Sequence, residues 1–161
     1  MSAEARLKEL GIVLPEAFNR GDPGAFPFRW VRVRGNRAYV SGHVPMSPDG
    51  SIPTHLAGKV GREVTPEQAA EAARMTGLAM LGSLRRELGS LDRISAWLRV
   101  FGMVNAAPGF TALPPVINGF SELILSVFGD EVGAHSRAAV GLAELPFNMP
   151  VEIEAEVEII P

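Results

Sequence analysis

The sequence predicts an α+β fold in which a mixed β-sheet carries two helices packed on one face. Three observations point to it. Thr65-Pro66-Glu67-Gln68 opens a helix with a hydroxyl cap, a proline at the first helical position and a Gln placed to return a bond to the cap. Gly35-Asn36 links two short β-patterned runs. The segments 94–104 and 151–160 alternate residue type at the strand period.

Taken in order, Ser2 caps a short helix that ends at Gly11, with Leu7, Leu10 and Ile12 as its docking stripe. Residues 15–27, rich in Pro and Gly, read as a surface connection. Two strands follow around Trp30-Val33 and Ala38-Val40, and 46–64 reads as a loop with room for one short strand. The helix opened by Thr65 keeps its apolar spacing through Leu78, Leu81, Leu84 and Leu88 to Gly89. In the next strand Ile94, Ala96, Leu98, Val100 and Val104 alternate with Ser95, Trp97, Arg99, Phe101 and Met103. A helix after Pro114-Pro115 stops at Gly129, and strands at 138–142 and 151–160 complete a β-β-α-β-α-β-β order. The chain is read as one domain over 1–161, with an N-terminal helical extension over 1–25 and a core over 26–161.

The last strand sets Val151, Ile153, Ala155, Val157 and Ile159 on one side and Glu152, Glu154, Glu156 and Glu158 on the other. Two helices cannot cover both sheet faces. Trp97, Phe101 and Met103 are expected on the uncovered face, where a second copy of the chain would bury them.

Composition narrows the chemistry. The 161 residues are 47 % apolar and 20 % charged, which suits a packed core and argues against general disorder. A net charge of −3 gives no basic field for a phosphate backbone, so no nucleic-acid partner is expected. The chain has no cysteine, which removes disulfides, thiol nucleophiles and thiolate metal sites. His43, His55 and His135 stand far apart without helical pairing to acidic residues, so no metal is expected, and no phosphate loop or dinucleotide fingerprint suggests a cofactor. Residues 1–10 are polar and no run approaches 18 apolar residues, so the expected location is cytoplasmic, with no membrane partner.

Two charged residues near strand starts remain. Arg137 sits among Ser136, Ala138 and Ala139, small neighbours that leave its guanidinium free to grip a carboxylate through two parallel bonds. Glu152 opens the last strand. Read alone, each also fits a solvated surface residue. If their strands formed a hairpin about residues 146–148, Glu152 would face Leu142 and Arg137 would lie five residues off, roughly 17 Å at about 3.4 Å per residue. A shared site then needs an intervening strand or a cleft between subunits.

Tyr39-Val40-Ser41-Gly42-His43-Val44-Pro45 resembles the Ser-Gly-Gln-Ile-Pro-like strand end of the Rid (reactive intermediate deaminase, RidA/YjgF, endoribonuclease L-PSP-like) family. The tail is closer. Arg137-Ala138-Ala139-Val140-Gly141-Leu142-Ala143-Glu144-Leu145-Pro146 and Val151-Glu152-Ile153-Glu154-Ala155 are similar to its Arg-Ser-x-Val-x-Val-x-x-Leu-Pro and Ile-Glu-Ile-Glu-Ala signatures.

This resemblance, over residues 26–160, implies a chorismate-mutase-like fold assembled as a homotrimer with small-molecule sites between subunits. It implies Arg137 as the carboxylate-binding arginine, Glu152 as the acidic residue, and Ser41 and Asn118 as further site residues. The family's site tyrosine falls on Phe28, which lacks the hydroxyl, and His135 stands where compact members carry proline. Those members also lack the extension over 1–25 and the longer loop at 53–65.

The implied function is cofactor-free hydrolysis of 2-imino or 2-enamino acids, of the 2-aminoacrylate type, to 2-oxo acids and ammonia. An iminium carbon is already electrophilic, so an oriented carboxylate and a water directed by Glu152 suffice. The alternative, favoured by the missing hydroxyl, is a trimer that binds small carboxylates without turnover. A third reading, endoribonuclease or translation inhibitor, is opposed by the acidic balance.

Overall fold

The structure is a computed structural model that describes residues 1–19 and 26–160. Its elements are α1 (Ala3–Glu9), β1 (Val31–Arg34), β2 (Arg37–His43), α2 (Pro66–Leu88), β3 (Ile94–Asn105), α3 (Leu113–Gly133), β4 (Ser136–Leu142) and β5 (Val151–Ile159), with 3-10 turns at Thr54–Leu56, Leu91–Arg93 and Pro146–Asn148. After α1 this is the β-β-α-β-α-β-β order. One sheet runs β1-β2-β5-β3-β4. Among the described strands β3 and β4 pair in parallel, while β1–β2, β2–β5 and β3–β5 are antiparallel.

The helix signals act as their chemistry requires. Thr65 Oγ1 accepts from the Gln68 amide at 3.1 Å while Gln68 Oε1 accepts from the Thr65 amide at 2.9 Å, and Gly89 closes α2 in the left-handed region. α3 begins one residue before the expected prolines. Gly129, at φ 74°, breaks it, and residues 130–133 add a further turn. α2 and α3 cover one sheet face and approach closely. A Cβ on Gly119 would stand 2.0 Å from the Ala70 carbonyl oxygen, so only glycine fits there.

Three expectations are corrected. The segment 46–64 forms no strand; it holds a 3-10 turn and isolated bridges from Val60 to Val64 and Ala106. The α1 stripe keeps Leu7 and Ile12, which packs against the core as expected, but extends one turn back to Ala3 and leaves out Leu10. Ala3 and Leu7 are buried, whereas Leu10 follows the last helical residue as the C-cap and stands 42 % exposed.

The third concerns Trp97. The β3–β5 register slips between Ile94 and Ala96 and again between Trp97 and Arg99. Each bulge turns the alternation by one residue, so Ile94, Trp97, Val100, Gly102 and Val104 face the helices. Trp97 packs edge-on against Phe120 and Phe128, with centroids 5.8 and 5.6 Å away. Among the described residues its indole N–H has no hydrogen-bond partner, so ring packing must offset a buried donor. Arg99, Phe101 and Met103 remain on the other face beside the β5 glutamates.

Candidate functional site

Arg137 lies on β4 in register with Val100, which is fully buried beneath the helices. Its side chain accordingly turns toward α3. There Nη1 donates to Asn118 Oδ1 at 2.9 Å and to Ser121 Oγ at 3.0 Å, and Nη2 reaches the Pro114 carbonyl at 3.4 Å. Asn118 and Ser121 are three residues apart and share a helix face.

His135 completes the cluster. Its Nδ1 lies 2.7 Å from the Gly133 carbonyl oxygen, which can only accept, so that nitrogen carries the proton. In the neutral ring Nε2 accepts from the Ser121 hydroxyl at 2.9 Å, leaving the Ser121 oxygen lone pairs for Arg137. Ser121, Leu125, Ala134, His135 and Arg137 line an open cavity of about 300 Å³. Ser121 was missed by sequence reasoning; its spacing from Asn118 is the signal that could have found it.

Glu152 belongs to a different place. It stands in register with Met103 on the face away from the helices. The other three glutamates of β5 are paired: Glu154 with Arg99, Glu156 with Arg37, and Glu158 with Ser95 and Asn36. Among the described residues the Glu152 carboxylate has neither a hydrogen bond nor an ion pair. It lies instead against Gly42 and a cavity of about 170 Å³ walled by Phe18, Phe26, Phe28, Trp30 and Phe147, with Val44, Met46 and Pro146. Burial, with the charge of Glu154 as a smaller contribution, raises its carboxyl above the usual range.

Of the residues named from sequence, the structure thus gathers Arg137, Asn118 and His135 in one cluster and Glu152 with Phe28 in another. Ser41 lines neither cavity. Its hydroxyl donates to the Arg29 carbonyl at 2.7 Å and its amide to the Trp30 carbonyl at 3.0 Å, anchoring the 29–30 segment to β2. The aromatic partners Phe18 and Phe147 gave no sequence signal, since each comes from an irregular segment. β3 is the intervening strand the hairpin argument called for, with β4 and β5 on its two sides. Arg137 and Glu152 are offset along it by about 10 Å, stand about 10 Å apart across it, and face opposite ways.

No protein-family model matches the chain. Protein TCP17 of Trypanosoma cruzi is 40 % identical over 155 residues, covering 96 % of this chain and 92 % of that one. The crystal structure of Atu1372, a protein of unknown function from Agrobacterium tumefaciens, is 41 % identical with a TM-score of 0.86, over 98 % of this chain and 92 % of that one. A candidate endoribonuclease from Shewanella oneidensis superposes with a TM-score of 0.87 at 26 % identity, over 99 % of this chain and all of that one. RidA from a Psychrobacter species shares the fold at 18 % identity and a TM-score of 0.53, over 89 % of this chain and 94 % of that one.

The chain belongs to the Rid family. Its chorismate-mutase-like sheet and helices are those of this Rid protein's structural neighbours. Among the described residues no helix is long and apolar enough to cross a membrane, and no group of three or more His, Asp or Glu could hold a metal ion.

Proposed function

We propose that this Rid protein hydrolyses 2-imino and 2-enamino acids to 2-oxo acids and ammonia, in clefts where one subunit of a homotrimer supplies Arg137 and its neighbour supplies Glu152. The observation that carries the reading is the separation of these two groups. One protomer holds a carboxylate-gripping fork on one sheet face and an unpartnered carboxylate on the other, too far apart for one small substrate. A second copy set against the open face completes the pair.

In the proposed reaction the Arg137 guanidinium, oriented by Asn118 and Ser121, holds the substrate carboxylate. An enamine first takes a proton at its terminal carbon to become the iminium. Glu152 removes a proton from a water, whose oxygen adds to the iminium carbon. The carbinolamine nitrogen takes up that proton from Glu152, the C–N bond breaks as the C=O bond forms, and ammonia leaves; the hydroxyl proton passes to Glu152 and on to water, which balances the proton that water supplied to the enamine carbon. Burial raises the Glu152 pKa, which makes it a stronger base than an exposed glutamate. The step calls for no cofactor.

One observation favours binding without turnover. Phe28 presents a bare ring, 5.1 Å from Trp30, where a hydroxyl would serve proton transfer. The two readings part on a single assay. With freshly generated 2-aminoacrylate, the parent should accelerate oxo-acid formation, while Arg137→Lys loses affinity and Glu152→Gln loses turnover. Reassembling an equal mixture of the two inactive variants should restore about a quarter of parent activity, because each intact site draws one wild-type contribution from each of two neighbours. Saturable binding of small 2-oxo acids without acceleration would establish the binder instead.

A further inference from the structure

The cavity beside Glu152 has a chemistry that hydrolysis of a small enamine does not use. We propose that it receives the side chain of the substrate, and that the preferred substrates are 2-imino acids with a phenyl-sized apolar group. The proposal rests on the function given above, because the Arg137–Glu152 pair fixes which end of the molecule faces the cavity.

Size is the first argument. The cavity holds about 170 Å³, and an apolar cavity of about 150 Å³ accepts benzene. A 2-aminoacrylate methylene would leave most of that volume to water against apolar walls. Chemistry is the second. Phe18, Phe26, Trp30 and Phe147 form a continuous chain of rings: Phe18 lies 5.6 Å from Phe26, 5.8 Å from Trp30 and 5.9 Å from Phe147, all tilted or edge-on. A further ring fits such an array in the same offset or edge-on manner. Val44, Met46 and Pro146 supply aliphatic walls, against which a cationic side chain would lose its hydration. An acidic side chain would meet the Glu152 carboxylate.

Backbone geometry is the third. Phe147 and Asn148 are the described non-glycine residues with positive φ, at 57° and 54°. Consecutive left-handed residues of this kind persist only where their surroundings hold them. The hold is visible. The Asn148 carbonyl accepts from the Gly58 amide at 2.8 Å, and Asn148 Oδ1 accepts from the buried Asn105 Nδ2 at 3.2 Å. The result places the Phe147 ring, 56 % exposed, opposite Phe18. Phe18 itself comes from the N-terminal extension, so that segment builds one wall of the proposed specificity pocket.

The test measures affinity for pyruvate, 4-methyl-2-oxopentanoate, phenylpyruvate and 2-oxo-5-guanidinopentanoate by calorimetry on the parent oligomer. Phenylpyruvate should bind about tenfold or more tighter than pyruvate. Phe18→Ala should remove most of that advantage of phenylpyruvate over pyruvate, and Phe147→Ala, which needs no change in the core, should act alike. Equal affinities, a preference for pyruvate or the guanidino acid, or an advantage untouched in both variants would overturn the proposal. Turnover of the matching imines, supplied by an amino-acid oxidase, separates the two claims. A phenyl preference in binding with no imine turned over upholds the pocket and removes the hydrolase; turnover of 2-aminoacrylate with no phenyl preference upholds the hydrolase and removes the pocket.

Discussion

Gly42 and Glu152 share one volume: a Cβ placed on Gly42 would stand 2.3 Å from Glu152 Oε1 and 3.0 Å from its carboxyl carbon. The strand position opposite the carboxylate is empty so that the carboxylate can lie across it.

Gly42→Ala should therefore act as a conformational variant of Glu152. The glutamate end is flexible and can swing aside, so the fold survives, but its aim at the reacting carbon is lost. Turnover should fall by on the order of 10², the usual scale of a general base, while affinity for a small 2-oxo acid stays within about twofold of the parent. Steady-state kinetics on in situ generated imine, set beside calorimetry, reads both.

The raised carboxyl of Glu152 makes two pH statements. Turnover needs the ionised form, so the acidic limb of the kcat/KM profile should lie above the usual carboxylate range, and Glu154→Gln should move it down by removing the smaller of the two causes. For stability, the folded pKa exceeds the unfolded one. The fold carries no penalty below the ordinary glutamate range and loses stability as pH rises through the folded value. Glu152→Gln should thus raise the melting temperature at neutral pH and leave it unchanged in acid.

His43 runs the other way. It is buried between Ser83, whose Oγ lies 2.9 Å from Nε2, and the Ser41 carbonyl, 2.6 Å from Nδ1, and burial lowers its pKa to about 4, with Arg86 adding to the shift. The neutral ring is preferred in the fold. Stability is whole above the unfolded value of about 6.5 and is lost as pH falls toward 4, by about 3 kcal/mol over the full window. His43→Gln should flatten that slope in denaturant titrations run across this range.

Leu7 anchors the N-terminal helix, and it is 2 % exposed. Beside it the Glu4 carboxylate accepts from Arg85 Nη2 at 2.6 Å and from the Leu91 amide at 3.0 Å, so α1 is fastened by both packing and charge. Leu7→Ala should cost about 2–4 kcal/mol in chemical unfolding. Leu10→Ala should change little.

What could be read from the sequence follows from how local each cause is. The cap at Thr65, the Gly35-Asn36 link and the β5 alternation are set by neighbours a few residues away, and each was legible. Arg137 and Glu152 were named by their strand starts, with small neighbours at Arg137 alone, and took their roles from the family resemblance, since read alone each also fits a solvated residue. Trp97 was misplaced since a bulge has no compositional mark; the phase changes without any Gly or Pro to announce it. Ser121 went unread because its partners, His135 and Arg137, arrive from another element. The aromatic walls were invisible for a stronger reason: Phe18, Trp30 and Phe147 are brought together by loops whose course only the finished sheet decides.

The slip in β3 also decides how this protein tolerates changes in length. Removing Leu98 would restore strict alternation there and carry Trp97 to the open face, beside the β5 glutamates. The space under Phe120 and Phe128 would then be empty, and an indole would be left in water. Insertions at 46–64, where no strand register depends on the count, carry no such consequence. Across related chains, gains and losses of residues are accordingly expected in that loop and not between Ala96 and Val100.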